Sequence, residues 1–307
     1  MAVPTGSSFE KTGAAEAMPM ILVLLLVPLG LMAALYAGAL LRRCIATHAL
    51  RPKAEAVALG AVTNFFDTLG IGSFAPTMAW MKFRSLVPDN LIPPTMLAGH
   101  SLPTIVQATV FLILLGVQVD PSLLIGCIVA MIAGGYVGVP LARLAPVRVV
   151  QGFVSIGLCL AAIFYALANL GWMPGGGTAA ALPIGLMIAA IAAHAVLGIL
   201  LNFGVGAYAP TLAMLSLFGM DPRLAFPIMT SAGAFSISTS GIRLARAADI
   251  DLRVVLGMAM GGAPAVLVAA FLVRDMPVEP LRWLVVVIVL YAAAILARAA
   301  LREGPGG

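Results

Sequence analysis

The sequence contains very little charge. Only 9% of its 307 residues are charged, whereas 62% are hydrophobic and the mean hydropathy is +1.10. A soluble domain is usually about a quarter charged, and so few charges could not cover the surface of a soluble protein of this size. This composition excludes a cytosolic enzyme, a secreted disulfide-linked domain and a nucleic-acid binder. The main solvent of the chain must be lipid, and its net charge of +5 then reflects membrane topology.

Patterns of catalytic and metal-binding residues are also missing. The three cysteines are scattered without a CxxC pair, so we expect them to be apolar packing residues. The sequence has no phosphate-binding loop, no HExxH motif and no nucleophile motif, and its Cys and His residues never approach metal-ligand spacing. We therefore expect no catalytic residue, no metal and no cofactor. A transport ATPase is excluded unless a separate chain supplies the ATPase.

Long apolar runs dominate what is present. A helix needs about 20 apolar residues to cross the roughly 30 Å hydrocarbon core. The first run, Met18–Leu41, is too long for a signal peptide, and its basic flank, Arg42-Arg43, follows it. We predict that it is a retained transmembrane helix. Six further runs are long enough to cross: Ile92–Val117, Leu123–Leu144, Val147–Leu170, Leu224–Arg243, Val254–Val273 and Leu281–Ala297.

Two other apolar stretches, Ala54–Phe83 and Ala179–Phe218, are each interrupted by a Gly/Pro cluster. Lys and Arg concentrate on cytoplasmic loops. The first stretch has basic flanks on both sides, whereas both flanks of the second are poor in Lys and Arg. We predict two re-entrant hairpins, one from each side of the membrane, together with seven full crossings, the N-terminus outside and the C-terminus inside. Since Ala179–Phe203 is long enough to cross, the alternative is four full crossings per unit with parallel repeats.

An internal repeat accompanies these interruptions. A shift of 134 positions places the G-x-G-x-x-A-P-T pattern that starts at Gly70 on the one that starts at Gly204, and matched prolines and an Ala-Gly pair follow in register. We divide the chain into an N-terminal extension (1–53) with the first transmembrane helix, repeat 1 (54–170) and repeat 2 (171–307). A hairpin returns to the side from which it entered, so each unit crosses the membrane three times. Because three is odd, the second copy is inverted, as in many secondary transporters.

The predicted fold is therefore an all-α polytopic membrane protein. It has two inverted repeats, each a re-entrant or broken helix plus three transmembrane helices, preceded by one extra N-terminal helix.

The two breaks are the predicted binding site. Gly-x-Gly allows a sharp break, and a following Pro suits the first turn of a new helix, so helices should restart near Ser73 and Ala207. Helix N-termini offer free N–H donors and a partial positive charge, and two that face each other can bind an anion. The alternative is that these residues only kink packed helices. The predicted substrate-binding residues are Asn64, Gly70, Gly72, Ser73, Phe74, Thr77, Asn202, Gly204, Gly206, Ala207, Tyr208 and Thr211.

A second group of polar residues is expected at membrane depth. Asp67 is the only acid that we place within the hydrocarbon, and such residues are functional candidates by default. In its protonated form it could carry a proton coupled to transport; alternatively it accepts hydrogen bonds from the backbone exposed at the break. His100 and His194 could pair with an anion, move a proton, or serve as hydrogen-bonded packing residues. Gln107, Thr230 and Ser231 could line a polar path, although hydroxyls also serve helix contacts.

The stretch from 198 to 267, GILLNFGVGAYAPTLAML and onward, resembles the TauE/SafE family of sulfite exporters and related anion permeases. The resemblance lies in the Gly-rich break at Gly204–Pro210, the Thr230-Ser231 pair, the Asp249-Ile250-Asp251 loop and the Gly-Gly helix, and it extends over about Glu55–Ala299. The first half repeats the break as GIGSFAPT. The chain departs from the family's run of three glycines at Ser73-Phe74 and Ala207-Tyr208, which changes the expected pocket.

The resemblance implies a secondary transporter that moves sulfite or organosulfonate anions across the bacterial inner membrane, with export as the expected direction. The anion would lie between the two helix breaks near the membrane midplane. An anion channel and a proton-coupled importer of another sulfur oxyanion or carboxylate are the alternatives. Its partners would be a small anionic substrate and the lipid bilayer but no nucleic acid, and a homodimer is left open.

Overall fold

The computed structural model describes residues 7–70, 72–141, 147–172, 177–201, 206–247 and 249–302. Within these ranges the chain forms eleven α-helices and, apart from one bridge between single residues, no β-structure. The helices are α1 (Ser7–Ala46), α2 (Ala54–Thr68), α3 (Phe74–Phe83), α4 (Ile92–Leu115), α5 (Pro121–Leu141), α6 (Val147–Asn169), α7 (Ile184–Leu201), α8 (Tyr208–Leu217), α9 (Pro222–Ala247), α10 (Leu252–Asp275) and α11 (Val278–Arg302).

Six of these helices are long and apolar enough to cross a membrane. The candidate spans are Met20–Ala46, Ile92–Leu115, Pro121–Gly138, Ile184–Leu201, Leu252–Asp275 and Glu279–Arg298. Each has 18 residues or more, which covers about 27 Å of helix axis at 1.5 Å per residue. The chain is therefore an all-α, multi-pass membrane protein.

This set of six differs from the predicted crossings at three helices. In α6 the described apolar part, Gln151–Leu167, is just under 18 residues long. Helix α9 is long enough, but Thr and Ser side chains and three arginines lower its hydropathy, and residues 224–234 are all buried. A helix inside the bundle contacts protein rather than lipid, so it can be more polar than its neighbours. Conversely, α7, which we predicted as a hairpin arm, has the length and composition of a span.

The first interrupted stretch folds back on itself. The carboxylate of Glu55, in the first turn of α2, accepts hydrogen bonds from Trp80 (3.1 Å) and Arg84 (2.8 Å), at the end of α3. Lys53, just before α2, donates a hydrogen bond to the carbonyl oxygen of Leu86 (3.1 Å), just after α3. The chain thus enters α2 and leaves α3 at the same end of the bundle, which is the geometry of a hairpin.

The second interrupted stretch closes in the same way. The backbone N–H of Ala179, ahead of α7, donates to the carbonyl oxygen of Gly219 (3.2 Å), and the N–H of Asp221 donates to the carbonyl oxygen of Ala179 (3.1 Å). Gly219 and Asp221 follow α8, so this bridge joins the two ends of the stretch. Both breaks therefore lie at the inner ends of hairpins.

Glycine contacts fix the long arm of each hairpin. Helix α2 packs against α10, and α7 packs against α5. A Cβ atom on Gly261 of α10 would overlap the carbonyl oxygen of Val57, and one on Gly134 of α5 would overlap that of Ala195. Small residues let membrane helices approach this closely, and both glycines belong to small-residue motifs of this kind, Gly134-x3-Gly138 and Gly257-x3-Gly261. The arms that carry the breaks are thus held tightly against neighbouring helices.

Candidate functional site

The first break depends on glycine. Helix α2 ends at Thr68 and α3 begins after Ser73. Between them Gly70 has φ +97° and Gly72 has φ +88°, in the left-handed region that glycine adopts without a steric penalty. A Cβ atom on Gly70 would also lie 3.2 Å from the side chain of Leu212, on the other hairpin. The predicted helix restart near Ser73 is confirmed, and the glycine pair makes it possible.

The second break has different backbone requirements. Helix α7 ends at Leu201, and α8 begins after Ala207, which confirms the predicted restart there. The predicted site residues Asn202 and Gly204 lie outside the described residues. Gly206 does not adopt the left-handed conformation, and a Cβ atom there would meet no atom within 4 Å. The absence of a side chain at Gly206 therefore leaves space free at the second break.

Both breaks line one cavity of about 120 Å³. A buried water needs only about 10–15 Å³ of such space, so the cavity has room for a small oxyanion. The predicted substrate-binding residues that line it come from both breaks: Gly72, Ser73, Phe74, Gly206, Ala207 and Tyr208. Asp67 lines it as well, and apolar side chains of α6, α9 and α11 complete its walls. The structure thus brings together segments that are more than 130 residues apart.

The two helix N-termini at this cavity differ in whether an acidic side chain faces them. Ser73 and Ala207 are the N-cap residues of α3 and α8, and neither side chain caps its helix. The Asp67 carboxyl group faces the backbone N–H and the hydroxyl group of Ser73. Among the described lining residues Asp67 is the only acid, and Leu201 occupies the matching position before α8. The α3 N-terminus therefore has an anionic partner within the protein, whereas the α8 N-terminus faces the cavity without one.

Gln107 of α4 connects the two sides of the cavity. Its side-chain nitrogen donates a hydrogen bond of 3.4 Å to the backbone carbonyl oxygen of Asp67. Its side-chain oxygen accepts a hydrogen bond of 3.3 Å from the hydroxyl group of Tyr208. We predicted Gln107 on a polar path, and the structure places it between the end of α2 and the start of α8.

Three other predicted site residues form a buried chain behind the first break. The Thr77 hydroxyl group lies 2.9 Å from Nε2 of His100, and Nδ1 of His100 lies 2.9 Å from Oδ1 of Asn64. The Asn64 side-chain nitrogen donates to the carbonyl oxygen of Gly60 (2.7 Å). Asn64 therefore accepts from His100, which in turn accepts from Thr77, and this assigns a neutral His100 with its proton on Nδ1. The chain ties α3 to α4 and α2, and none of its members lines the cavity.

The second hairpin contains a similar pair. The Thr211 hydroxyl group lies 3.3 Å from Nε2 of His194, and Nδ1 of His194 lies 2.8 Å from the carbonyl oxygen of Ala190. Both ring nitrogens are thus occupied, and the ring links α8 to α7. Thr77 and Thr211 occupy matching positions in the two short helices, yet their histidines come from different helices.

Helix α9 carries the remaining predicted polar residues. The Thr230 hydroxyl group donates to the carbonyl oxygen of Phe226 (2.6 Å), so it is satisfied within its own helix. The buried hydroxyl groups of Ser231, Ser236 and Ser238 have no partner among the described residues. Buried polar groups are normally hydrogen-bonded to protein or ordered water. These serines therefore offer free donors and acceptors along a helix that also lines the cavity.

Several lining residues could not be predicted from the sequence. Nothing in the sequence distinguishes Thr104 of α4 from the other hydroxyl residues of the chain. The lining residues of α6 and α11 are apolar, like most of the chain. Gly233 could have been found, because it matches Gly99 in the repeat. A Cβ atom there would lie 3.0 Å from the Tyr208 ring, so glycine makes room for that ring.

Comparison with protein-family models, curated proteins and solved structures finds no match to this chain. The resemblance to sulfite exporters therefore depends on the motifs in the sequence. The function has to be argued from the geometry of the cavity and from the chemistry of the residues around it.

Proposed function

We propose that this protein is a secondary transporter of small anions, of the sulfite or organosulfonate class, in the bacterial inner membrane. The observation that carries the proposal is that two helix breaks, one from each half of the chain, line a single cavity with the N-termini of α3 and α8. Backbone N–H groups and hydroxyl groups there suit an oxyanion. The class of anion is taken from the motif resemblance, and the geometry favours a small one.

We further propose that the two halves are inverted repeats. Under the shift of 134 positions, α2 corresponds to α7, and the partner of α2 is α10, whereas the partner of α7 is α5. The remaining long helices pair with their own counterparts, α4 with α9 and α6 with α11. A pseudo-two-fold relation between the halves produces this pattern of partners. In transporters such a relation allows the site to open to each side in turn.

Local geometry supports the same duplication. Ser85 (φ +47°) and Gly219 (φ +93°) lie 134 positions apart and end α3 and α8 with the same left-handed turn. The hydrogen bond from the N–H of Leu86 to the carbonyl oxygen of Met81 (2.9 Å) has its counterpart between Met220 and Leu215 (3.1 Å). Both features belong to one helix ending that is common in proteins, so what supports the duplication is its occurrence at the same offset as the sequence repeat.

The membrane potential is sufficient to drive export. It contributes about 2.3 kcal/mol per charge per 100 mV. For a divalent anion leaving a cell that is negative inside, this amounts to roughly 4.6 kcal/mol at 100 mV, or a concentration ratio of about 10³. Uniport is therefore physically adequate for export, whereas import of the same anion needs a co-transported cation.

The position of Asp67 favours a second candidate, a proton-coupled carrier. Its carboxyl group lines the cavity and faces Ser73. A carboxylate at that position repels a bound anion and competes with it for the Ser73 N–H. Protonation of Asp67 removes the charge, so a proton and an anion would bind together.

Sulfite efflux from proteoliposomes tests the proposal and separates its alternatives. We expect efflux that saturates with sulfite concentration and accelerates when the membrane potential drives anions outward. A flux that rises without saturation would identify a channel. Uphill sulfite uptake driven by an inward proton gradient would identify the proton-coupled carrier. No sulfite or organosulfonate flux above that of protein-free liposomes would refute the substrate class.

A further inference from the structure

A second pocket lies at the end of α1, away from the two breaks. It has a volume of about 460 Å³ and is lined by Arg42 and Arg43 of α1, Arg246 of α9 and four small or apolar residues of α1, namely Ala34, Leu35, Gly38 and Ala39. No acidic residue is among its described lining. Because it involves the N-terminal helix rather than the breaks, this groove is independent of the transport site.

The arginines lie where α1 and α9 end. The side chain of Arg43 donates hydrogen bonds to the carbonyl oxygens of Leu244 and Ala245 (both 3.3 Å), which fixes it against the end of α9. Arg42 and Arg246 are exposed. Guanidinium groups bind phosphate oxygens in a bidentate manner. Three of them around one opening suit a single phosphate group.

The other lining residues of the groove are small or apolar. A Cβ atom on Gly38 would meet nothing within 4 Å, and Ala34 on the same helix is exposed. From Ala34 to Arg43 the helix rises about 14 Å at 1.5 Å per residue. The groove lies at one end of the candidate span Met20–Ala46, so it extends from headgroup level into the hydrocarbon. A free phosphate ion would leave this apolar part empty.

We propose that this groove binds an anionic glycerophospholipid, with the lipid phosphate among Arg42, Arg43 and Arg246 and an acyl chain along Ala34–Ala39. Basic pockets between membrane helices are suited to such headgroups. The bound lipid would fill the space between α1 and α9 and attach the N-terminal helix to the rest of the bundle. The site requires both the charge of the arginines and the open surface at Gly38.

Native mass spectrometry of the full-length protein, titrated with phosphatidylglycerol or phosphatidylcholine, tests the proposal. Wild-type protein should bind phosphatidylglycerol more tightly than phosphatidylcholine. A basic residue near the surface contributes about fivefold to binding, so R42Q/R246Q should weaken phosphatidylglycerol binding roughly 25-fold. The exposed arginine Arg298 provides the control, and R298Q should bind like wild type. Equal affinity for both lipids, or an effect of R298Q equal to that of R42Q/R246Q, would overturn the proposal.

A second pair of variants separates a lipid from a free phosphate ion. Gly38→Leu fills the apolar part, and Gly30→Leu is its control on the same helix, since both glycines face open space. Gly38→Leu should weaken phosphatidylglycerol binding at least fivefold, whereas Gly30→Leu should have no effect. If both variants bind phosphatidylglycerol equally and inorganic phosphate displaces it at millimolar concentration, the groove is a free-phosphate site and the lipid assignment is wrong.

Discussion

The hydroxyl group of Tyr208 donates a hydrogen bond of 3.3 Å to Oε1 of Gln107, a residue 101 positions earlier in the chain. The same amide donates through its nitrogen to the backbone carbonyl oxygen of Asp67 (3.4 Å). One side chain of α4 thus holds the start of α8 and the end of α2 on opposite sides of the cavity. The two breaks are therefore linked directly, as well as through the helices on which they lie.

Removing this link should destabilise the protein modestly. Tyr208→Phe leaves the buried Oε1 of Gln107 without its donor, while the ring still packs against Gly233. Interhelical hydrogen bonds in membranes average about 0.6 kcal/mol, and we expect a coupling of that order in a double-mutant cycle with Gln107→Leu. The free energy of unfolding, measured in detergent for the two single variants and the double variant, checks it. Strictly additive effects would show that the two side chains do not interact.

Filling the cavity at the second break should abolish transport without preventing folding. Gly206→Val introduces methyl groups where no atom lies within 4 Å, so they project into free space without a clash. Gly157→Val is the matched control, because Gly157 also faces open space but lies outside the cavity. Sulfite efflux should be lost in the first variant and retained in the second.

Gly72→Val should also abolish transport, but its φ of +88° adds backbone strain. Normal efflux in both Gly206→Val and Gly72→Val would show that the anion binds outside this cavity.

Asp67→Asn should remove the pH dependence of anion binding while leaving downhill efflux measurable. In the wild type, protonation at low pH removes the negative charge beside the anion, so sulfite should bind more tightly as the pH falls. Asparagine is neutral at every pH and should give a flat profile. The measurement is the KM for sulfite in proteoliposomes as a function of pH, with each value corrected for the sulfite/bisulfite ratio.

Two outcomes would contradict this account of Asp67. An unchanged pH profile in Asp67→Asn would show that another group titrates. Complete loss of efflux at every pH, in well-folded protein, would show that protonation is obligatory and would refute uniport. Adding His100→Ala should weaken transport further, but that change also removes the hydrogen-bond partner of both Asn64 and Thr77. The single variant is therefore the cleaner test.

The inverted topology can be tested by cysteine labelling from each side of the membrane. Ser85 follows the first hairpin and is exposed, and Asp221 follows the second. Since the Asp221 carboxylate accepts a hydrogen bond from the backbone N–H of Arg223, the exposed Thr178 beside the second hairpin is the better position. We expect Ser85→Cys to react with a membrane-impermeant thiol reagent added from the cytoplasm and Thr178→Cys to react from outside. If both label from the same side, the repeats are not inverted.

The breaks could be predicted because glycine and proline have few conformational options. The Gly-x-Gly pairs predicted the breaks, and both new helices begin near Ser73 and Ala207 as expected. The flanking charges also suggested that the two ends of each interrupted stretch lie together, and the hydrogen bonds between those ends bear this out. The side of the membrane on which each pair of ends lies stays a prediction. These features depend on local chemistry that is written directly in the sequence.

The direction of polar side chains could not be predicted. Thr77 and Thr211 lie one turn into the new helices, where a hydroxyl can point to the cavity or to a neighbouring helix. Both point to histidines, and neither histidine could be assigned as a partner before its helix was positioned. Asp67 was correctly selected as unusual, but its approach to Ser73 depends on the backbone path through the break.

The central claim is that an anion binds in the cavity between the N-termini of α3 and α8. Selenite is the heavier analogue of sulfite, and selenium gives an anomalous X-ray signal. Crystals of the protein soaked with selenite should show one strong anomalous peak in the cavity, within hydrogen-bond distance of backbone N–H groups at the start of α8 and absent from Gly206→Val crystals. A peak elsewhere in the membrane region, or no peak in a protein that transports selenite, would contradict the account.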